Sequence, residues 1–285
     1  MSNYQDQLGV KPGDKVDLSA IDPGFKPSAL DKNAGNLETA KNADKLGELQ
    51  YLLYAENRRS LLVCLQGLDA SGKDGTISHV LHAMNPQGTR VQAFKVPSVV
   101  EASHDFLWRA HQHVPRRGEI VVFNRSHYED VLAVRVHDLV PESVWEKRYG
   151  LINDFEKNLV ESGTHILKFF LHIGPDVQLE RFKERLDDPK RQWKISEADY
   201  AEQKLWPNYV LAYERALAET STKHAPWFVV PSNHKWFRNL VVSEILVQTL
   251  ASLDMKTPAP TVDMDDMRRK YHAARESEKR GKQSG

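Results

Sequence analysis

The sequence predicts an α/β protein with three layers, a mainly parallel, doubly wound sheet of five strands between two layers of helices. Three observations carry this reading. Short apolar runs at 61–65, 91–96, 118–123, 165–173 and 227–230 alternate with stretches of helical periodicity. The run at 118–123 is nearly continuous, as suits a strand covered on both faces. Between the first run and the first helical stripe lies a glycine-rich turn, Gly67 to Gly75.

Taken in order, residues 1–36 are rich in Gly, Pro, Asp and Lys without periodicity and read as an extended arm. Leu46, Leu49, Leu52 and Leu53 recur at helical spacing, which predicts a helix ending near Arg58. Strand one ends at the glycine turn, and Ile77, Val80, Leu81 and Met84 mark the helix after it. Strand two stops at Pro97, and a helix over about 102–113 precedes strand three. A long helix, 141–162, leads to strand four, closed by Gly174 and Pro175. A basic segment at about 181–205 precedes the last strand and a helix carrying Leu240, Val241, Ile245 and Leu246. Beyond Lys256 the chain is Pro-broken and then highly charged; weak order is expected, with a solvated helix from Asp263 to Arg280 as the alternative. The implied organisation is an arm at 1–36, a domain at 37–255 and a tail at 256–285.

Composition narrows the function classes. The 285 residues are 40% hydrophobic and carry 39 Lys plus Arg against 39 Asp plus Glu, a balance that argues against a protein built as a general polyanion binder, nucleic acid included, although local clusters can still bind one. No run approaches a membrane span, and the polar start lacks signal-peptide character, so a cytosolic location is expected. Cys64 is the sole cysteine and sits mid-strand, which excludes disulfides and thiolate metal sites and points to core filling.

Gly67, Gly72 and Lys73 form G-x-x-x-x-G-K, a P-loop: its backbone N–H groups curl around an anion at a helix N-terminus and its Lys adds a point charge. Ala70, Ser71, Gly72, Asp74, Gly75 and Thr76 are the phosphate-binding candidates beside Lys73. Two departures are informative. Asp74 fills the slot where a Ser or Thr ordinarily holds magnesium, with Thr76 two residues later. Asp69 places a carboxylate among phosphates, which makes sense chiefly as a magnesium ligand, a helix cap being the alternative.

Strand three delivers Asn124, Arg125, Glu129 and Asp130 opposite this loop. Adjacent residues on a helix diverge by about 100°, so one of the two acids faces the site. Glu129 is favoured, with Asp130 at the surface or behind it. Arg181, Lys183, Arg185, Lys190, Arg191 and Lys194 make the 181–205 segment a basic lid over substrate. Arg135 and His137 are further candidates for phosphate contact. His111 and His113 lack a third metal ligand, and residues 233–236 do not make a guanine reader. The chemistry indicated is phosphoryl transfer by charge screening, with no nucleophilic side chain: a nucleotide phosphate is already anionic, so the site has to overcome repulsion between anions.

The loop from Gly67 to Gly75, the strand end from Phe123 to Glu129 and the lid from Asp188 to Lys194 together resemble the polyphosphate kinase 2 family. The resemblance runs from about Glu48 to Leu253 and includes Pro231 to Asn239. It implies a P-loop kinase of the thymidylate-kinase-like kind with a helical lid, transferring phosphoryl groups between inorganic polyphosphate and AMP, ADP or ATP. It implies Mg2+ (or Mn2+) held through Asp69 and Glu129, phosphate contacts from Lys73, Arg125 and Lys95, and a polyphosphate-facing lid at Arg181, Arg185, Lys190 and Lys194. It implies a homo-oligomer. Family members acting mainly on diphosphates tend to have Asp at the position of Asn124 and Asn at that of Glu129. The exchange seen here is similar to the subgroup that accepts both AMP and ADP, class III. An ATP-dependent nucleoside monophosphate kinase is the runner-up, and a nucleotide-binding switch protein a remote third.

Overall fold

Ser60–Gln66 and Trp227–Pro231 are buried at every position, so the sheet they belong to is covered on both faces. A computed structural model describes residues 4–283; the outermost residues of the expected arm and tail, 1–3 and 284–285, lie outside the described residues. The chain begins with α1 (Tyr4–Leu8), β1 (Gly9–Val10), α2 (Lys32–Glu56), β2 (Ser60–Gln66), α3 (Lys73–Val80) and β3 (Thr89–Ala93). Next come α4 (Val99–Ala102), α5 (Trp108–His111), β4 (Ile120–Asn124), a 3-10 turn at His127–Asp130, α6 (Ala133–Val136) and α7 (Glu142–Glu161). β5 (Thr164–His172), α8 (Pro175–Asp187), α9 (Glu197–Lys204), α10 (Trp206–Thr220), β6 (Trp227–Pro231) and α11 (Lys235–Ser252) follow.

The strand order is β1-β6-β5-β2-β4-β3, with every pair parallel except β1 against β6. The period of two along the strands feeds two cores. Leu167, Phe169 and Leu171 of β5 join Leu46, Leu49 and Leu53 of α2 and Leu240, Val241 and Ile245 of α11 on one face. Phe170 of β5 joins Trp145 and Tyr149 of α7 and Tyr213 and Leu217 of α10 on the other. Cys64 is buried in the sheet, as its position in the apolar run implies. Because β2 is central and parallel to both neighbours, its carboxyl end opens onto the cleft between the layers, where ligands of such sheets bind.

Four features differ from the sequence expectation. The sheet has six strands rather than five, because Gly9–Val10 of the arm pairs antiparallel with Phe228 and Trp227. The expected helix over 102–113 is two short helices, α4 and α5. α10 was not anticipated, although Ala212, Tyr213, Ala216 and Leu217 have the spacing of a buried helical face. Residues 256–283 belong to a separate compact unit, and this tail is helical over α12 (Met264–Gln283), with pairs such as Arg268–Asp265 and Lys270–Asp266 along it.

The arm is part of the fold as far as its buried residues go. Tyr4 is 1% exposed and meets Phe237 edge-to-face at 5.6 Å, and the Gln5 side chain donates to Thr249 Oγ1 at 2.9 Å. Tyr4→Ala is expected to cost about 3 kcal/mol, a fall in Tm of roughly 6–12 °C for a domain of this size. Calorimetry checks this; an unchanged Tm means that the arm does not contribute to the core.

Candidate active site

The β2–α3 turn is shaped by backbone conformations that glycine permits. Gly67 has φ +149° and Gly72 φ +108°; a Cβ on Gly72 would lie 1.7 Å from Arg238 Nη1. Ala70 also has positive φ, at 60°. Outside groups hold the loop's carbonyls in place. Gln178 Nε2 donates to Asp69 O at 2.8 Å, Arg181 Nη1 to Ala70 O at 2.7 Å, and Arg238 Nη1 to Ser71 O at 3.2 Å. Lys73 opens α3 and folds back, its Nζ donating to Gly67 O at 2.7 Å and Leu68 O at 3.3 Å.

Across from the loop, β4 ends at Asn124, and Arg125 follows it. Arg125 has φ 61° and donates its N–H to Leu65 O at 3.0 Å, tying the bend to β2. Its guanidinium joins two acids: Nη2 meets Asp69 Oδ1 at 2.7 Å and Nη1 meets Glu129 Oε2 at 3.4 Å. These carboxylates keep the Arg125 guanidinium charged despite its burial, raising its pKa above the ordinary arginine value. Asn124 Nδ2 donates to Asp74 Oδ1 at 2.9 Å, and Lys194 Nζ reaches Asp74 Oδ2 at 3.6 Å, so the P-loop, the end of β4 and the lid meet at Asp74.

These groups surround a cavity of about 1250 Å³. Asp69, Ala70, Gly72, Lys73, Asp74, Gly75, Lys95, Asn124, Arg125 and Glu129 line it, as do Arg181, Arg185 and Lys194. Other expected residues are elsewhere. The Ser71 and Thr76 side chains are buried beneath the loop and do not line the cavity, and their backbone N–H groups donate to Leu68 O at 3.1 Å and Gly72 O at 2.9 Å. Arg135 turns away: its guanidinium lies 4.7 Å over the Trp145 ring and borders a separate cavity of about 530 Å³. Lys190 is exposed on the far side of the lid turn, where Trp193 Nε1 donates to its carbonyl at 3.1 Å; its neighbour Arg191 lines the cavity instead. Arg181 is no lid residue, since it is buried and spends its guanidinium on carbonyls of Ala70, Ser71, Ser232 and Asn233.

Glu129 and Asp130 both line the cavity, and Asp130, expected at the surface or behind Glu129, is buried. Arg109 Nη2 meets its Oδ2 at 3.1 Å and Arg148 Nη1 its Oδ1 at 3.3 Å, in a 3-10 turn rather than an α-helix. Arg238 is the main residue that sequence reasoning missed. It lies 167 residues from Ser71 and no spacing rule links them; the only signal was its place in the segment Pro231 to Asn239. His137 does line the cavity, bonded to Glu202 of α9 at 3.0 Å, with Tyr209 Oη donating to the same carboxylate at 2.7 Å. His111 and His113 instead pack edge-on against Phe155 and Phe94.

Comparison with known proteins accords with this geometry. The description of the family Polyphosphate kinase 2 (PPK2) matches residues 29–258. The chain belongs to the polyphosphate kinase 2 family. An AMP/ADP-polyphosphate phosphotransferase of Meiothermus ruber is 51% identical over 253 residues, 88% of this chain and 94% of that protein. An ADP-polyphosphate phosphotransferase of Rhodopseudomonas palustris is 44% identical, over 90% of this chain and 92% of that protein. The crystal structure of polyphosphate kinase 2 from Arthrobacter aurescens TC1 superposes with a TM-score of 0.92 at 41% identity, covering 95% of this chain and 97% of that one. Among the described residues of this family member no helix is long and apolar enough to cross a membrane.

Lys73 gives the site a pH dependence. Burial, then Arg125, lower its pKa to about 8, with Asp69, Glu129 and Asp74 opposing. The ammonium is therefore present below about 8 and lost as pH rises through that value. Affinity for inorganic tripolyphosphate is expected to weaken roughly tenfold between about pH 7 and about pH 9, measured by titration calorimetry. Lys73→Met should flatten that change, and an equal pH slope in the variant rules out Lys73 as the titrating group.

Proposed function

We propose that this chain transfers the terminal phosphoryl group of inorganic polyphosphate to AMP and ADP, forming ADP and ATP. The observation that carries the reading is the pairing of Asp69 and Glu129 across Arg125 at the mouth of a P-loop whose Ser/Thr slot holds Asp74. The relatives' activities and the combination of Asn124 with Glu129 support the same substrates.

The cavity crosses the sheet edge from one helix layer to the other. Lys32, Lys235 and Arg238 line it on the side of α2 and α11, which suits a polyanionic chain. Leu139, Trp206 and Tyr209 line it on the side of α6 and α10, which suits an aromatic base and its sugar. Between them Lys73, Arg125, Arg185 and Lys194 screen the two anions and hold donor and acceptor in line. The acceptor oxygen is already anionic, so no side chain has to remove a proton from it.

The donor set fits a hard divalent cation. Asp69 and Glu129 are both open to the cavity and offer only oxygen, and no group of three or more His, Cys, Asp and Glu among the described residues encloses a metal, so phosphate oxygens and water would complete the shell. Magnesium or manganese bound there supplies neutralisation of charge on the transferring phosphoryl group. Homo-oligomeric assembly is part of the same reading, and light scattering of the purified protein tests it.

A donor panel decides the activity. ADP with polyphosphate and magnesium should yield ATP with no other donor present; turnover with ATP as sole donor to AMP, and none with polyphosphate, would favour a monophosphate kinase. Asp69→Asn should lower kcat by about a hundredfold or more while the fold persists, since it removes a charge at constant shape. Glu129→Asn should reduce kcat/KM for AMP about tenfold more than for ADP; equal losses on both acceptors would separate Glu129 from acceptor choice.

A further inference from the structure

The turn that carries Arg125 and Glu129 is anchored at every residue between them. Ser126 Oγ accepts from Gln66 Nε2 at 3.0 Å, and Gln66 Oε1 in turn accepts from Tyr213 Oη at 3.4 Å. His127 Nε2 lies 3.2 Å from Glu156 Oε1, so that nitrogen carries the proton and donates to the carboxylate. Tyr128 Oη donates to the same oxygen at 2.8 Å. Lys168 Nζ then bonds Glu156 Oε2 at 2.6 Å, Tyr128 Oη at 2.9 Å and Thr220 O at 2.7 Å, which uses all three ammonium donors. The side chains of His127, Glu156 and Lys168 are wholly buried, and none of them lines the cavity.

A buried ion pair is a poor source of stability, because desolvation offsets the attraction, and apolar residues of equal volume often serve as well. What this pair does that apolar residues cannot is direct hydrogen bonds to two particular side chains, His127 and Tyr128, which sit between the two residues that face substrate. Arg125 holds a left-handed backbone conformation that an ordinary residue keeps only when its surroundings impose it. The Glu156–Lys168 pair reaches the turn from α7 and β5, elements with no residue in direct contact with substrate space at this point.

We propose that Glu156 and Lys168 are positioning residues for phosphoryl transfer: through His127 and Tyr128 they set the placement of Arg125 and Glu129. The proposal rests on the reading of the site as a polyphosphate-dependent phosphotransferase. The test is steady-state kinetics, per folded molecule, of the double variant Glu156→Leu/Lys168→Met, which removes both charges together at similar volume. The expected result is a folded protein with a lower Tm, since His127, Tyr128 and Thr220 lose buried partners, kcat lower by roughly tenfold or more, and KM for polyphosphate and ADP within about twofold, because a small misplacement of reacting groups affects turnover more than binding. A folded double variant with wild-type kcat overturns the proposal. If that variant does not fold, Tyr128→Phe decides: it keeps both charges and removes one hydroxyl, and kcat should fall roughly threefold or more at constant KM. Wild-type kcat in Tyr128→Phe then overturns it. A wild type that is inactive with polyphosphate instead removes the underlying functional reading, and the two failures are told apart by that control.

Discussion

The site depends on one guanidinium set between two carboxylates. Arg125 meets Asp69 at 2.7 Å and Glu129 at 3.4 Å, and so joins the P-loop after β2 to the turn after β4. Without a cation there, two acids would face each other across a cleft meant to admit two further anions. The strand pairing makes the contact possible: β2 and β4 are parallel neighbours with Leu65 opposite Asn124, so both strands deliver their next residues to the same edge of the sheet. The charge balance of the site is thus a consequence of strand order.

Neighbouring elements support this arrangement through hydrogen bonds and ion pairs. Gln178, Arg181 and Arg238 fix the loop's carbonyls, and Gln66, Glu156, Lys168, Arg109 and Arg148 fix the turn. Burial beside Arg181 depresses the Arg238 pKa, a cost that the loop contacts offset. For Glu156, burial opposes ionisation but Lys168 and His127 outweigh it, which keeps the carboxylate charged and able to accept from both residues of the turn. Preorganisation of this kind matters most for a reaction whose catalysis is positioning and electrostatic stabilisation.

The lid is joined to the rest of the site by ion pairs of moderate length rather than by a packed core. Lys194 reaches Asp74 at 3.6 Å, and His137 and Tyr209 hold Glu202, while Arg185 pairs with Asp199 at 3.5 Å within the segment itself. Such partly exposed pairs contribute little to stability and can exchange partners when phosphate oxygens arrive.

The sequence by itself determined the parallel α/β class, the P-loop, the positions of the acids at 69 and 129 and the basic character of residues 181–194, because each depends on local spacing: glycines that permit a turn, apolar runs of strand length, cations clustered within a few residues. Family membership was legible for the same reason, through three short motifs in a set order. Only the tertiary structure decided which of those residues face substrate. Arg135 and Lys190 do not line the cavity, and the side chains of Ser71 and Thr76 lie beneath the loop, although nothing in their neighbours along the chain separates them from the residues that line it; Arg181 lines it but spends its guanidinium on the loop's carbonyls. Arg238, Tyr209 and the Glu156–Lys168 pair came into view through contacts made between distant elements, and so did the sixth strand, whose two residues are too few to carry a pattern. Facing and long-range pairing follow from how helices settle on the sheet, a matter of packed volume and hydrogen-bond satisfaction across the whole domain that no local window contains.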